Sequence, residues 1–212
     1  MAVKSILFDL DGTLTDSGEG IMNCAKLALE HYGLPIPSEA ELRTFVGPPL
    51  HESFIRFGVP AEEAENAIRI YRSRYIPIGK YENHPYDGIR EMLEKLCSLG
   101  HKLYVATSKP EKMSIEILEH FDMAKYFTLI CGATMDTSRS SKADVIAYLL
   151  EQTGRGDNTI MVGDTAFDVL GANAHGIATI GVSWGYGNVD DMVQSGAAAI
   201  ANSVEELFEL LK

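Results

Sequence analysis

Cysteine is scarce in this chain. Cys24, Cys97 and Cys131 are three isolated residues in 212, and no Cys-x-x-Cys occurs. That spacing suggests neither a disulfide framework nor a zinc site. Each lies in an apolar pattern, so buried, reduced thiols are expected. Positive charge is also short: 18 Lys and Arg face 30 Asp and Glu, giving a net charge of −12 and a pI near 4.9. Such a balance argues against nucleic acid or an anionic membrane as partner. It leaves room for phosphate ligands, because a local cation can overcome the global field. No apolar run reaches bilayer length, and the N-terminus enters a strand pattern without a signal-peptide pattern, so a cytoplasmic protein is expected. None of the six His residues has His-x-x-x-His spacing. His51, His84 and His175 are read as structural. Repeats and low-complexity segments are missing, and oligomeric state is not legible. Apolar residues are plentiful at 46%, enough for a folded core.

The chain is organised around Lys4 to Asp16. Val3 to Phe8 is a short apolar run that fits a strand buried on both faces. It stops on Asp9, Leu10, Asp11 and Gly12. Parallel α/β sheets bind ligands at the carboxyl ends of their strands, which places Asp9 and Asp11 where chemistry is expected. Residues 17 to 84 then read as helices. Ile21, Ala25, Ala28 and Tyr32 share one face. Ser38 with Glu41 forms a capping-box pattern, Gly47-Pro48-Pro49 breaks the second helix, and further helices cover 50–57 and 61–76. From Tyr86 an α/β rhythm begins. Helices with apolar positions Ile89, Leu93, Leu96 and Leu99, then 111–121, 142–150 and 167–175, alternate with strands at 102–106, 127–131, 159–162, 178–182 and 198–200. Ser203 with Glu206 reads as a capping box for a closing helix. Strands alternating with helices predict an α/β fold with a doubly wound parallel sheet. Residues 1–16 and 85–212 form this core, and 17–84 form an inserted all-helical module.

Four signals fall at strand ends or helix starts: Asp9-x-Asp11-Gly12-Thr13, Thr107-Ser108, Lys142, and Gly163-Asp164-Thr165-Ala166-Phe167-Asp168. Strand-end carboxylates suit a hard divalent cation. Mg²⁺ prefers oxygen ligands, and Asp9 and Asp164 can each supply one. Asp168, one turn beyond Asp164, can orient metal-bound water or Lys142; capping of its helix is the other reading. Thr107, Ser108 and Lys142 offer donors for phosphate oxygens.

In this order the four signals resemble the motifs of haloacid dehalogenase-like hydrolases, over nearly the whole chain. The resemblance implies a Rossmann-like core with a helical cap over the active site. It also implies that the Asp11 backbone carbonyl joins Asp9 and Asp164 around Mg²⁺. Asp9 is then the nucleophile that forms an aspartyl-phosphate, with Asp11 as acid and base. The stretch from Phe45 to Leu50 looks like the small-cap branch of phosphoglycolate phosphatases and 5′-nucleotidases. There Gly47 can bring an amide near phosphate, and Arg43 can meet an anionic substrate. Lys80 and Lys109 are further candidates beside them, with a solvated surface charge as the favoured reading of each. The expected partner is a small phosphate ester. Four alternatives stand beside this reading. A sugar phosphomutase would carry a His where Ile21 stands, and a dehalogenase would lack Asp11. A phospho-acceptor signalling domain would lack the inserted module. A silent binding protein would have lost a motif acid.

Overall fold

The computed structural model describes residues 3–154, 156 and 158–212. In chain order the elements are β1 (Ser5–Phe8), β2 (Thr15–Asp16), α1 (Gly18–His31), α2 (Glu39–Leu42), α3 (Leu50–Arg56), α4 (Ala64–Tyr75) and β3 (His84–Pro85). There follow α5 (Ile89–Ser98), β4 (Lys102–Pro110), α6 (Glu111–His120), β5 (Phe127–Ala133), α7 (Lys142–Thr153) and β6 (Thr159–Gly163). The chain closes with α8 (Ala166–Asn173), β7 (Ala178–Val182), α9 (Val189–Gln194), β8 (Ala199–Ala201) and α10 (Val204–Leu211). They fall into two compact units, one of residues 1–15 with 85–212 and one of residues 16–84.

The first unit is a parallel six-stranded sheet in the order β5-β4-β1-β6-β7-β8. This is the α/β class read from the strand–helix alternation. β1 is central, and its neighbours are β4 and β6. Ile6, Leu7 and Phe8 are each fully buried because helices cover both faces. Side-chain alternation divides them. Ile6 and Phe8 join Leu103, Val105, Leu93, Leu96, Ile117 and Leu207 on one face. Leu7 joins Tyr104, Met161, Val145, Ile146 and Leu149 on the other.

The second unit is helical. Its core includes Ala25, Leu29, Leu42, Phe45, Phe54, Ala67 and Tyr71. The rings of Phe45 and Phe54 lie 5.2 Å apart edge-on, Phe45 stacks on Phe57 at 4.8 Å, and Tyr71 stacks on Tyr75 at 5.1 Å. The Ser38–Glu41 capping box opens α2. Gly20 has no room for a side chain, since a Cβ there would sit 1.8 Å from the Gly79 carbonyl oxygen. Arg74 donates to both oxygens of Glu82 at 2.6 Å.

Several local expectations change. The strand expected at 102–106 continues to Pro110, because β5 goes on pairing after a register shift between Ala106 and Pro110. Leu99 falls just past the end of α5 and is exposed, so it does not share the buried face. Helix α9 breaks a stretch that periodicity left unassigned; Asn188 caps it by accepting from the amides of Asp190 and Asp191. At α10 only half of the capping box forms. Ser203 accepts from the Glu206 amide, but the Glu206 carboxylate turns to the Asn202 amide instead. Cys24 and Cys131 are buried as free thiols, while Cys97 is only half-buried. Among the described residues no helix is long and apolar enough to cross a membrane.

Candidate active site

The strand order explains the site. Three of the four signals lie at the carboxyl ends of β4, β1 and β6, which are adjacent strands. Asp9 follows β1, Thr107 and Ser108 lie near the carboxyl end of β4, and Asp164 follows β6. Lys142 is the first residue of α7, which a Ser141–Asp144 capping box opens. These groups belong to the same unit.

Asp9, Asp164 and Asp168 are buried, and each offers a carboxylate oxygen within 4.8 Å of the others. Such a set of hard oxygen donors fits a small divalent cation. Lys142 sits among them. Its Nζ lies 2.7 Å from both Asp9 Oδ1 and Asp168 Oδ1 and donates to the Ala106 carbonyl at 2.9 Å. Burial alone would lower the Lys142 pKa, but the charges of Asp168 and Asp9 hold it above the usual range. The ammonium therefore stays charged. Burial pushes the Asp9 carboxyl up to about 6, against the pull of Lys142 and the Thr107 hydroxyl, with Asp168 adding to the rise. Burial, then Asp168 and Asp9, push Asp164 up to about 8. Three carboxylates with one ammonium leave an excess of negative charge that invites a proton or a metal ion.

Asp168 does both things weighed for it. Its Oδ2 accepts from the Thr165 amide at 3.0 Å and hydroxyl at 2.8 Å, which caps α8. Its Oδ1 faces Lys142. Capping and orientation of Lys142 are therefore one arrangement, not rival ones.

Asp164 is held from several sides. Its Oδ2 accepts from the Tyr186 amide at 2.8 Å, and its Oδ1 accepts from the Thr13 hydroxyl at 3.4 Å. Glycines admit it. A Cβ at Gly12 would sit 2.2 Å from Asp164 Oδ2, and one at Gly185 would sit 2.3 Å from the same atom. The Trp184 indole N–H donates to the Thr13 carbonyl at 3.2 Å, tying this loop to the turn after β1. Residues 183–187 were missed in the sequence. Their signal was available: Ser-Trp-Gly-Tyr-Gly directly after an apolar strand is another strand-end turn in a parallel sheet.

Asp11 lies outside the carboxylate cluster. Its two oxygens accept from Lys109 Nζ at 3.0 and 2.7 Å. The Lys109 side chain is only 6% exposed. This overturns its reading as a solvated surface charge; an ion pair repays the ammonium for lost water. Lys80, read the same way, is also buried, with its ammonium 4.8 Å from the Tyr81 ring centre. Ser108 is exposed at the end of β4. Arg43 and Gly47 belong to the helical unit, Arg43 on an exposed 3₁₀ turn and Gly47 at φ 102° in the break that follows. Of the histidines read as structural, His175 holds the Ala143 carbonyl at 2.9 Å. Exposed His84 lies 3.9 Å from Asp16.

Comparison with known proteins agrees with this geometry. A 5′-nucleotidase of Pseudomonas aeruginosa is 43% identical over 190 residues, covering 89% of this chain and 86% of that protein. The tyrosine-protein kinase PtkA of Mycobacterium tuberculosis is 45% identical over 210 residues, covering 97% and 72%. A phosphoglycolate phosphatase of Vibrio parahaemolyticus is 30% identical over 219 residues, covering 99% and 96%. The crystal structure of a predicted phosphatase from Clostridium acetobutylicum superposes with a TM-score of 0.94 at 42% identity, covering 100% of this chain and 99% of that one. The family model for haloacid dehalogenase-like hydrolases matches residues 6–182. With its carboxylates gathered at the ends of β1 and β6, the chain belongs to the haloacid dehalogenase-like hydrolase family.

Proposed function

We propose that the protein is a Mg²⁺-dependent phosphatase acting on a small phosphate monoester, of the phosphoglycolate phosphatase or 5′-nucleotidase kind. The observation that carries this reading is the buried trio Asp9, Asp164 and Asp168 with Lys142 at 2.7 Å from two of them. Asp9 and Asp164, with the main-chain carbonyl of Asp11, would hold the cation, which would offset the repulsion between a carboxylate and a phosphate dianion. Asp168 would remain a positioning residue, since Lys142 and Thr165 engage its two oxygens.

The residues divide the work as follows. A carboxylate oxygen of Asp9 attacks phosphorus, the bond to the ester oxygen breaks, and an aspartyl-phosphate forms. Asp11 in its acid form gives its proton to the departing ester oxygen. It then takes a proton from the water that hydrolyses the intermediate, and Asp9 is restored. Lys142, Thr107 and Ser108 hold the equatorial phosphate oxygens, where positioning and electrostatics supply most of the rate. Lys142 also keeps Asp9 in place between turnovers. Substrate selection is assigned to the helical unit through Arg43 and Gly47.

The test is release of inorganic phosphate from an aryl phosphate and from a panel of small phosphate esters, with Mg²⁺ and then with chelator. Activity that survives exhaustive chelation would remove the cation from the proposal. A second reading is transfer of the phosphoryl group to a tyrosine, favoured by the 45% identity to PtkA. Incubation with a labelled phosphoryl donor and a tyrosine peptide separates the two, since label in the peptide instead of in solution would support transfer.

A further inference from the structure

The catalytic hypothesis leaves Lys109 without a task, yet few lysines are so enclosed. Its ammonium is held by both oxygens of Asp11. Its backbone is also built in. The Lys109 amide donates to the Thr107 hydroxyl at 3.2 Å, which shapes the register shift at the end of β4. On the opposite side Gly132 of β5 packs so closely that a Cβ there would lie 2.5 Å from the Lys109 carbonyl oxygen. Thus the same short segment supplies Thr107 to the Asp9 side and Lys109 to the Asp11 side. Without Lys109, nothing in this set of contacts directs the Asp11 carboxylate away from the Asp9, Asp164 and Asp168 cluster.

We propose that Lys109 is a positioning residue: it holds the Asp11 carboxylate apart from the metal-binding carboxylates, in the orientation from which Asp11 exchanges a proton with the leaving group. The proposal rests on the reading of Asp11 as proton donor. A purely structural ion pair would leave the rates on all substrates changed alike. A positioning role makes the loss depend on how much the leaving group needs a proton. The phenolate of 4-nitrophenyl phosphate departs without one, whereas an alkoxide needs it.

The experiment compares wild type, Lys109→Met, Lys109→Arg, Asp11→Asn and the double variant at saturating Mg²⁺. The substrates are 4-nitrophenyl phosphate and an alkyl phosphate, either phosphoglycolate or a nucleoside 5′-monophosphate, whichever is turned over faster. For Lys109→Met the expected loss in kcat is about 30-fold on the alkyl ester and under about 3-fold on the aryl ester, within the usual range for acid–base catalysis. Lys109→Arg should recover most of the alkyl rate. In the double variant the Lys109 change should add nothing to the loss from Asp11→Asn, since the two act as one unit. Equal losses on both esters, or full additivity in the double variant, would overturn the proposal while leaving Asp11 as acid. If Asp11→Asn itself shows no dependence on the leaving group, the acid assignment fails and the proposal with it. Lys109→Gln carries the same comparison if Lys109→Met does not fold, as judged by circular dichroism.

Discussion

Two acidic sites, one in each unit, respond to their surroundings in opposite ways. In the helical unit Glu82 pairs with Arg74, and both side chains remain about a quarter exposed, at 24% and 26%. Hydrogen bonds from Arg74 hold the Glu82 carboxyl below its usual range. In the α/β unit Asp9 and Asp164 are pushed up to about 6 and about 8, chiefly by burial. Water decides the difference. Where water still reaches the pair, attraction dominates; where three carboxylates share one ammonium in a buried site, desolvation dominates. The Arg74–Glu82 pair fastens a fold, and the carboxylate cluster at the ends of β1 and β6 holds charge in an unfavourable state that binding can relieve. Such tension is a mark of functional sites.

The largest test of this contrast is Asp9→Asn. On the proposed mechanism this variant should reduce phosphate release by at least about 10³-fold. Thermal melting should hold or rise, because a buried charge is removed. Normal turnover in that variant would end the nucleophile assignment. Next in size is Phe54→Ala in the helical unit, where a fully buried ring at 5.2 Å from Phe45 is lost. The expected cost is about 3–5 kcal/mol. Hydrogen exchange should rise across residues 16–84 and change little in the parallel sheet; a uniform rise would show that the units share one cooperative transition.

Gly185→Ala probes the close fit around Asp164. Its new Cβ would meet Asp164 Oδ2 at 2.3 Å and the Gly12 carbonyl at 2.5 Å. Overpacking of this kind costs about 1–3 kcal/mol, so activity should fall about tenfold, with a raised Mg²⁺ requirement. An unaltered Mg²⁺ titration would show that Asp164 yields without consequence.

The smallest expected effect is in pH. Asp9 and Asp164 bind protons more tightly folded than unfolded, so the metal-free protein should lose stability as pH rises from about 4 through 6 and 8. Glu82 has the opposite sign: its contribution is present above the unfolded carboxyl range and is lost on acidification. Melting curves from pH 4 to 9 should show the first trend as a fall in melting temperature. Added Mg²⁺ should flatten it, because the proposed cation would bind the deprotonated carboxylates. A slope that Mg²⁺ leaves unchanged would place the responsible groups elsewhere.

Much of this architecture was legible in the chain itself. The apolar run to Phe8, the alternation after Tyr86 and the capping residue Ser38 act locally, and local signals survive in sequence. The same holds for where Asp9, Thr107 and Asp164 lie, because turn chemistry marks strand ends, while Lys142 stands at a helix start. Lys109 and Lys80 were misjudged because an isolated lysine looks the same whether water or a carboxylate surrounds it. The 183–187 loop escaped because its part is played by backbone: the Tyr186 amide and the lack of a side chain on Gly185.

By itself the sequence determined which residue types end each strand, and hence the family's chemistry. Tertiary structure alone decided which of those residues meet. The order β4-β1-β6 sets Asp9 beside Thr107 and Asp164, and burial there divides one set of like carboxylates into a strained trio and a separately paired Asp11. Charge responds to the distance and dielectric between groups, and neither is written in the order of residues along a chain.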